Sequence, residues 1–137
     1  MSGTIHVARE GAIGWLVIDN AARRNAITFE MWRMLPKAAA ELEEDSGVRV
    51  IVLRGAGETA FVSGADISEF ESSRQGPVAL DYERNTARGL DALTELSKPL
   101  VAMIHGFCVG GGVALALTAD LRFAAADAVF AVPAARL

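Results

Sequence analysis

Residues 105–119 read HGFCVGGGVALALTA, and this stretch decides the fold. Leu100 to Ile104, just before it, is a short apolar run of buried-strand type, and Gly110 to Gly112 then open an apolar segment reaching about Ala119. The reading is strand, glycine-rich turn, helix. Such a turn leaves backbone N–H groups free where the helix starts, and glycine lets a ligand oxygen approach them. Close packing of the helix against a neighbour explains a glycine cluster equally well.

On the N-terminal side, Val78 to Leu96 carries Leu80, Ala87, Leu90, Leu93 and Leu96 at helical spacing, and Lys98-Pro99 stops it. Ser72 to Pro77 reads as an exposed loop. Phe61 to Ile67 (FVSGADI) is a short strand turning into an acidic stretch, Glu69 to Glu71, whose simple reading is a solvated helix start. Val48 to Leu53 is a strand closed by Gly55-Ala56-Gly57. Thr28 caps a helix carrying Met31, Leu35, Ala38, Ala39 and Leu42, in which Pro36 predicts a kink or a late start. Asn20 to Asn25 is a polar loop, and Ile5 to Arg9 with Ile13 to Asp19 form a hairpin about Glu10-Gly11. After Ala119, Leu121 to Ala125 and Ala128 to Val132 are two more short strands. The order gives an α/β chain with crossover connections, read as one domain over residues 1–137.

Of 137 residues, 52% are apolar, which suffices for a core. A net charge of −4 argues against a nucleic-acid partner. One cysteine, Cys108, rules out an internal disulfide and fits a reducing compartment; the start of the chain lacks a signal-peptide pattern and no apolar run is long enough for a membrane span. A cytoplasmic protein is the expectation. His6, His105 and Cys108 show no metal-ligand spacing. Cys108 reads as a buried core residue, His105 as a turn histidine bonded to backbone, Asp120 as structural, and Trp15 and Trp32 as packing residues. Gly55 to Ala60 (GAGETA) has the glycines of a dinucleotide turn, but a strand-like segment follows it instead of a helix.

Three segments together carry a more specific signal: RRNAIT at 23–28, VRVIVLRGAGETAFVSGADI at 48–67 and HGFCVGGGVALALTADLRFA at 105–124. In order and spacing they resemble the crotonase (enoyl-CoA hydratase/isomerase) superfamily, and the resemblance covers nearly the whole chain. It implies a spiral of strand–strand–helix units, incomplete here at the C-terminus, that binds acyl-CoA thioesters. Coenzyme A then arrives as part of the substrate, with no separate cofactor. The resemblance places the backbone oxyanion donors at Ala65 and Gly111 and the coenzyme A contacts at Arg24, Ala26, Ala65, Asp66, Ile67, Ser68 and Gly111. In full-length form the protein is expected to be a homo-oligomer, a trimer or dimer of trimers.

The family pattern breaks at two positions. Hydratases of this family carry a glutamate two residues after the glycine triplet and another after the proline of the next strand. Ala114 and Ala134 stand there in this chain. Alanine neither gives nor takes a proton, so water addition by that pair is not available. Two readings remain: an acyl-CoA enzyme with a backbone oxyanion hole and another acid or base, or a non-catalytic coenzyme A-binding or assembly subunit. The chain is also expected to expose apolar surface near Val129 to Leu137.

Overall fold

The computed structural model describes residues 3–65 and 76–133. Strands β1 (Thr4–Glu10) and β2 (Ile13–Asp19) form the expected hairpin, with Gly11-Ala12 as its two-residue loop. A short 3-10 turn, Ala21–Arg23, occupies the polar loop. Helix α1 (Phe29–Glu44) starts where Thr28 predicts; the Thr28 hydroxyl accepts the Met31 N–H at 3.2 Å. Pro36 lies inside α1, so the late start does not occur. Strands β3 (Val50–Gly55) and β4 (Ala60–Val62) follow, then helix α2 (Gly76–Thr94). Gly76 and Pro77 are thus helical, which corrects that end of the expected loop, while 72–75 lie outside the described residues. Strands β5 (Leu100–Ile104) and β6 (Phe107–Val109), helix α3 (Gly111–Leu117), and strands β7 (Leu121–Ala124) and β8 (Val129–Ala131) complete the order.

Two sheets result. One runs β1-β2-β3-β5-β7, parallel except for the hairpin, and the other runs β4-β6-β8, all parallel. From β3 onward the chain lays one strand in the large sheet and the next in the small sheet, with α2 and α3 returning it. This is the strand–strand–helix repeat. The alternation in β3 turns Ile51 and Leu53 into the core, where they meet the buried face of α1: Met31, Trp32, Leu35, Ala38, Ala39 and Leu42. Burying each such large side chain contributes about 1.5–3 kcal/mol. Lys98 closes the far end of α1, its Nζ donating to the carbonyls of Leu42 at 2.7 Å and Asp45 at 2.6 Å. Asp120 accepts the Leu100 N–H at 2.8 Å and so ties α3 to β5, the structural role expected of it.

The core departs from expectation in three places. Leu80 is exposed on α2, although Leu93 of the same helix is buried. Helix α3 ends at Leu117, itself exposed, because Arg122 donates to the carbonyls of Ala116 and Ala119 and closes the turn there. Strands β7 and β8 are exposed throughout, although Leu121, Phe123, Val129 and Phe130 are apolar. The expected apolar surface is therefore present, and it extends across the outer strands of both sheets.

Candidate functional site

The pairing of β4 with β6 brings the two expected donor segments together. Ala60 pairs with Phe107 and Val62 with Cys108, so the chain leaving β4 runs beside the chain leaving β6. Each turns at a glycine with positive φ, +121° at Gly64 and +54° at Gly110, a region that a side chain rarely adopts. The two glycines are neighbours: a Cβ added on Gly110 would lie 4.0 Å from the Gly64 Cα. Ala65 and Gly111 are the next residues. Gly64 gives its carbonyl to the Ile27 N–H at 2.8 Å, and Gly110 gives its N–H to the Ala131 carbonyl at 2.9 Å. Among the described residues, the N–H groups of Ala65 and Gly111 have no acceptor. Both donors are half-buried, where an N–H normally finds a partner.

Arg24, Ala26 and Ala65 line one open groove of about 530 Å³, with Ser63, Phe107 and Val109. Gly111 is not part of its lining; it sits over Trp32 and Ile27, to which a Cβ would come within 3.4 and 3.5 Å. The Arg24 guanidinium lies over the Phe107 ring, 5.8 Å from its centroid, which holds a cation at the mouth of the groove. Asp66, Ile67, Ser68 and Ala134 lie outside the described residues. Ala114 sits in the first turn of α3, half-buried, its N–H donating to the Gly110 carbonyl at 3.2 Å; its methyl offers no proton chemistry.

The residues weighed as alternative nucleophiles or bases lie elsewhere. Cys108 is fully buried and burial pushes its thiol up to about 11, so it is an inert core residue as expected. The Nε2 of His105 is buried without a partner, so the expected backbone bond is not made through that nitrogen. It lines a separate groove of about 760 Å³ with Arg54, Met103, Phe123 and Asp127 at the ends of β3, β5 and β7. His6 pairs with Asp19 at 3.1 Å on the exposed hairpin. Among the described residues no cluster of His, Cys, Asp or Glu could hold a metal, and no helix is long and apolar enough to cross a membrane. Two residues at the site were not singled out from sequence: Phe107, and Asn25, which anchors the Arg24 loop. A lone aromatic and a polar loop residue carry no local signal of such roles.

Comparison with known proteins agrees with this fold. The family model described as enoyl-CoA hydratase/isomerase matches residues 8–137. A short-chain-enoyl-CoA hydratase of Clostridium acetobutylicum is 33% identical over 135 residues, 91% of this chain and 48% of its own length. A carnitinyl-CoA dehydratase of Proteus mirabilis is 32% identical over 137 residues, 100% of this chain and 51% of its own. The crystal structure of an enoyl-CoA hydratase/carnithine racemase from Magnetospirillum magneticum superposes with a TM-score of 0.92 at 38% identity, covering 96% of this chain and 50% of that one. The chain thus spans about half the length of the relatives it matches. Its strand–strand–helix order, its paired glycine turns and these likenesses agree, and the chain belongs to the enoyl-CoA hydratase/isomerase (crotonase) family.

Proposed function

We propose that this chain carries the thioester-binding part of a crotonase-type acyl-CoA site, without the two-glutamate machinery of hydration. The carrying observation is the pair of unpaired donors, Ala65 N–H and Gly111 N–H, on neighbouring segments beside a groove that Arg24 lines. In this reading they bind the thioester oxygen, which gains negative charge as an enolate or tetrahedral species forms. A fixed donor of this kind contributes about 3 kcal/mol to such a step. Arg24 faces the phosphates of coenzyme A, with Ala26, Asp66, Ile67 and Ser68 along the rest of that moiety. Because the donors are backbone groups, they survive the replacement of both glutamates by Ala114 and Ala134.

Hydration does not survive it. Water addition needs one group to activate water and one to deliver a proton at the α-carbon, and each is worth about 10²–10⁴ in rate. The test is to measure binding and turnover of a crotonyl-type thioester with the full-length protein. Tight binding with negligible hydration supports the proposal and directs screening to decarboxylation, thioester hydrolysis and double-bond shift. Rapid hydration refutes it and makes Asp66 and Glu69 the first carboxylates to mutate. Ala114, placed in the first turn of α3, also favours a second reading: a coenzyme A-binding or assembly subunit that performs no chemistry. Binding without turnover in any of those screens would select it.

A further inference from the structure

We infer that Asn25 is a positioning residue for the donor segment Ser63–Ala65, and this rests on the acyl-CoA reading above. Arg24 and Asn25 are the two residues other than glycine with positive φ among those described, +54° and +57°. Asparagine tolerates that region and arginine does not prefer it, so two in a row persist only where the surroundings impose them. What imposes them is the Asn25 side chain, 1% exposed. Its Nδ2 donates to the carbonyls of Ala56 at 2.9 Å and Ala60 at 2.8 Å, and its Oδ1 accepts the Asn20 N–H at 2.9 Å. Asn20 in turn donates through Nδ2 to the Ala26 carbonyl at 2.8 Å. The amide lies over Gly55, where a Cβ would come within 2.7 Å of its nitrogen. One buried amide therefore fastens the 20–26 loop to the turn between β3 and β4.

That loop holds the donor segment directly. The Ser63 N–H donates to the Arg24 carbonyl at 3.2 Å, and the Ile27 N–H donates to the Gly64 carbonyl at 2.8 Å. Ile27 also forms a parallel bridge with Ala65. Asn25 touches neither the groove nor the proposed thioester position; it acts through Arg24 and Ile27. Removing its side chain frees the loop, and the Ala65 N–H loses its fixed direction while the strands behind it stay paired.

Asn25→Gly in the full-length protein tests this, because glycine accepts the positive φ and loses only the side-chain bonds. Two readouts are needed. Amide hydrogen exchange without ligand is expected to quicken by at least about tenfold at Ile27 and Ser63, with Ile51 and Leu53 of β3 unchanged. The infrared carbonyl stretch of a bound crotonyl-type thioester, lowered by donors on its oxygen, is expected to move back towards its value in water. Unchanged exchange at both amides overturns the inference. Faster exchange with an unmoved carbonyl stretch overturns it too, and leaves Asn25 a loop anchor only. A wild-type protein that binds no acyl-CoA thioester instead refutes the acyl-CoA reading. The exchange arm then decides the clamp alone, standing if the Ile27 and Ser63 amides quicken and overturned if they do not. Should Asn25→Gly not fold, Asn20→Ala removes only the bond to Ala26, and the same two amides are expected to quicken by a smaller factor.

Discussion

Adjacent glycines in one turn of helix make opposite predictions. At Gly112 an added Cβ would overlap the Val62 carbonyl oxygen and lie 3.1 Å from the Val62 Cβ. The obstacle is backbone of β4, and β4 is pinned because Val62 pairs with Cys108 of β6. Relief requires α3 to move away from the small sheet. At Gly111 the new methyl would meet the Trp32 Cζ2 at 3.4 Å and the Ile27 Cγ2 at 3.5 Å, ordinary contact distances. Forced overpacking costs about 1–3 kcal/mol. Replacing glycine by alanine in a helix returns up to about 1 kcal/mol, less in a first turn. Gly112→Ala should therefore lose roughly 2 kcal/mol, and Gly111→Ala should lie between no change and a gain of about 1 kcal/mol.

Urea unfolding followed by circular dichroism measures both. A loss near 2 kcal/mol lowers Tm by roughly 5–15 °C in a domain of this size. Because α3 carries Gly111, its retreat should also weaken thioester binding in Gly112→Ala. Equal stability of Gly112→Ala and wild type, or a larger loss in Gly111→Ala, would refute the claim that α3 is seated on the Val62 carbonyl.

Arg24→Ala should weaken coenzyme A binding and flatten its dependence on salt, with stability changed by under ~0.5 kcal/mol since the side chain is exposed; calorimetric titration at two ionic strengths reads this. Lys98→Met should cost about 1–3 kcal/mol in urea unfolding, because two carbonyls at the end of α1 lose a charged donor. The Cys108 thiol should resist alkylation until the protein is unfolded. Its pKa is raised in the fold from 9.0 to about 11, so the native state holds the proton longer. Stability from this source is full below pH 9 and falls as pH rises towards about 11, a decline that Cys108→Ala should lack.

The large sheet was legible because β2, β3 and β5 are β-branched runs, and α1 because Thr28 and its helical spacing agree. Strand β6 was not: Phe107–Val109 is three residues between glycines, and it becomes a strand only through partners distant in sequence, β4 and β8. Strand β4 ends before the apolar run does, since Ser63 and Gly64 bond instead to the 20–26 loop and Ile27. Helix α2 turns Leu80 outward although its spacing fits the core face. The paired turns after β4 and β6 were readable as a family pattern. The hydrogen bonds of Asn25 were not, because its partners at Ala56 and Ala60 lie 31 and 35 residues away.

The alternation of strands between two sheets makes the chain a short one-dimensional stack. The β5–β6 layer rests on β3–β4, and β7–β8 rests on β5–β6, so each layer is held by its immediate neighbours. In such a stack stability is a sum of layer and interface terms, so a change in one layer is passed on through the interface it shares with the next. Strand β8 bears on Gly110 directly, because the Gly110 N–H bonds to Ala131 of β8. Anything that covers or frees β8 therefore acts on the turn at Gly110 without touching it.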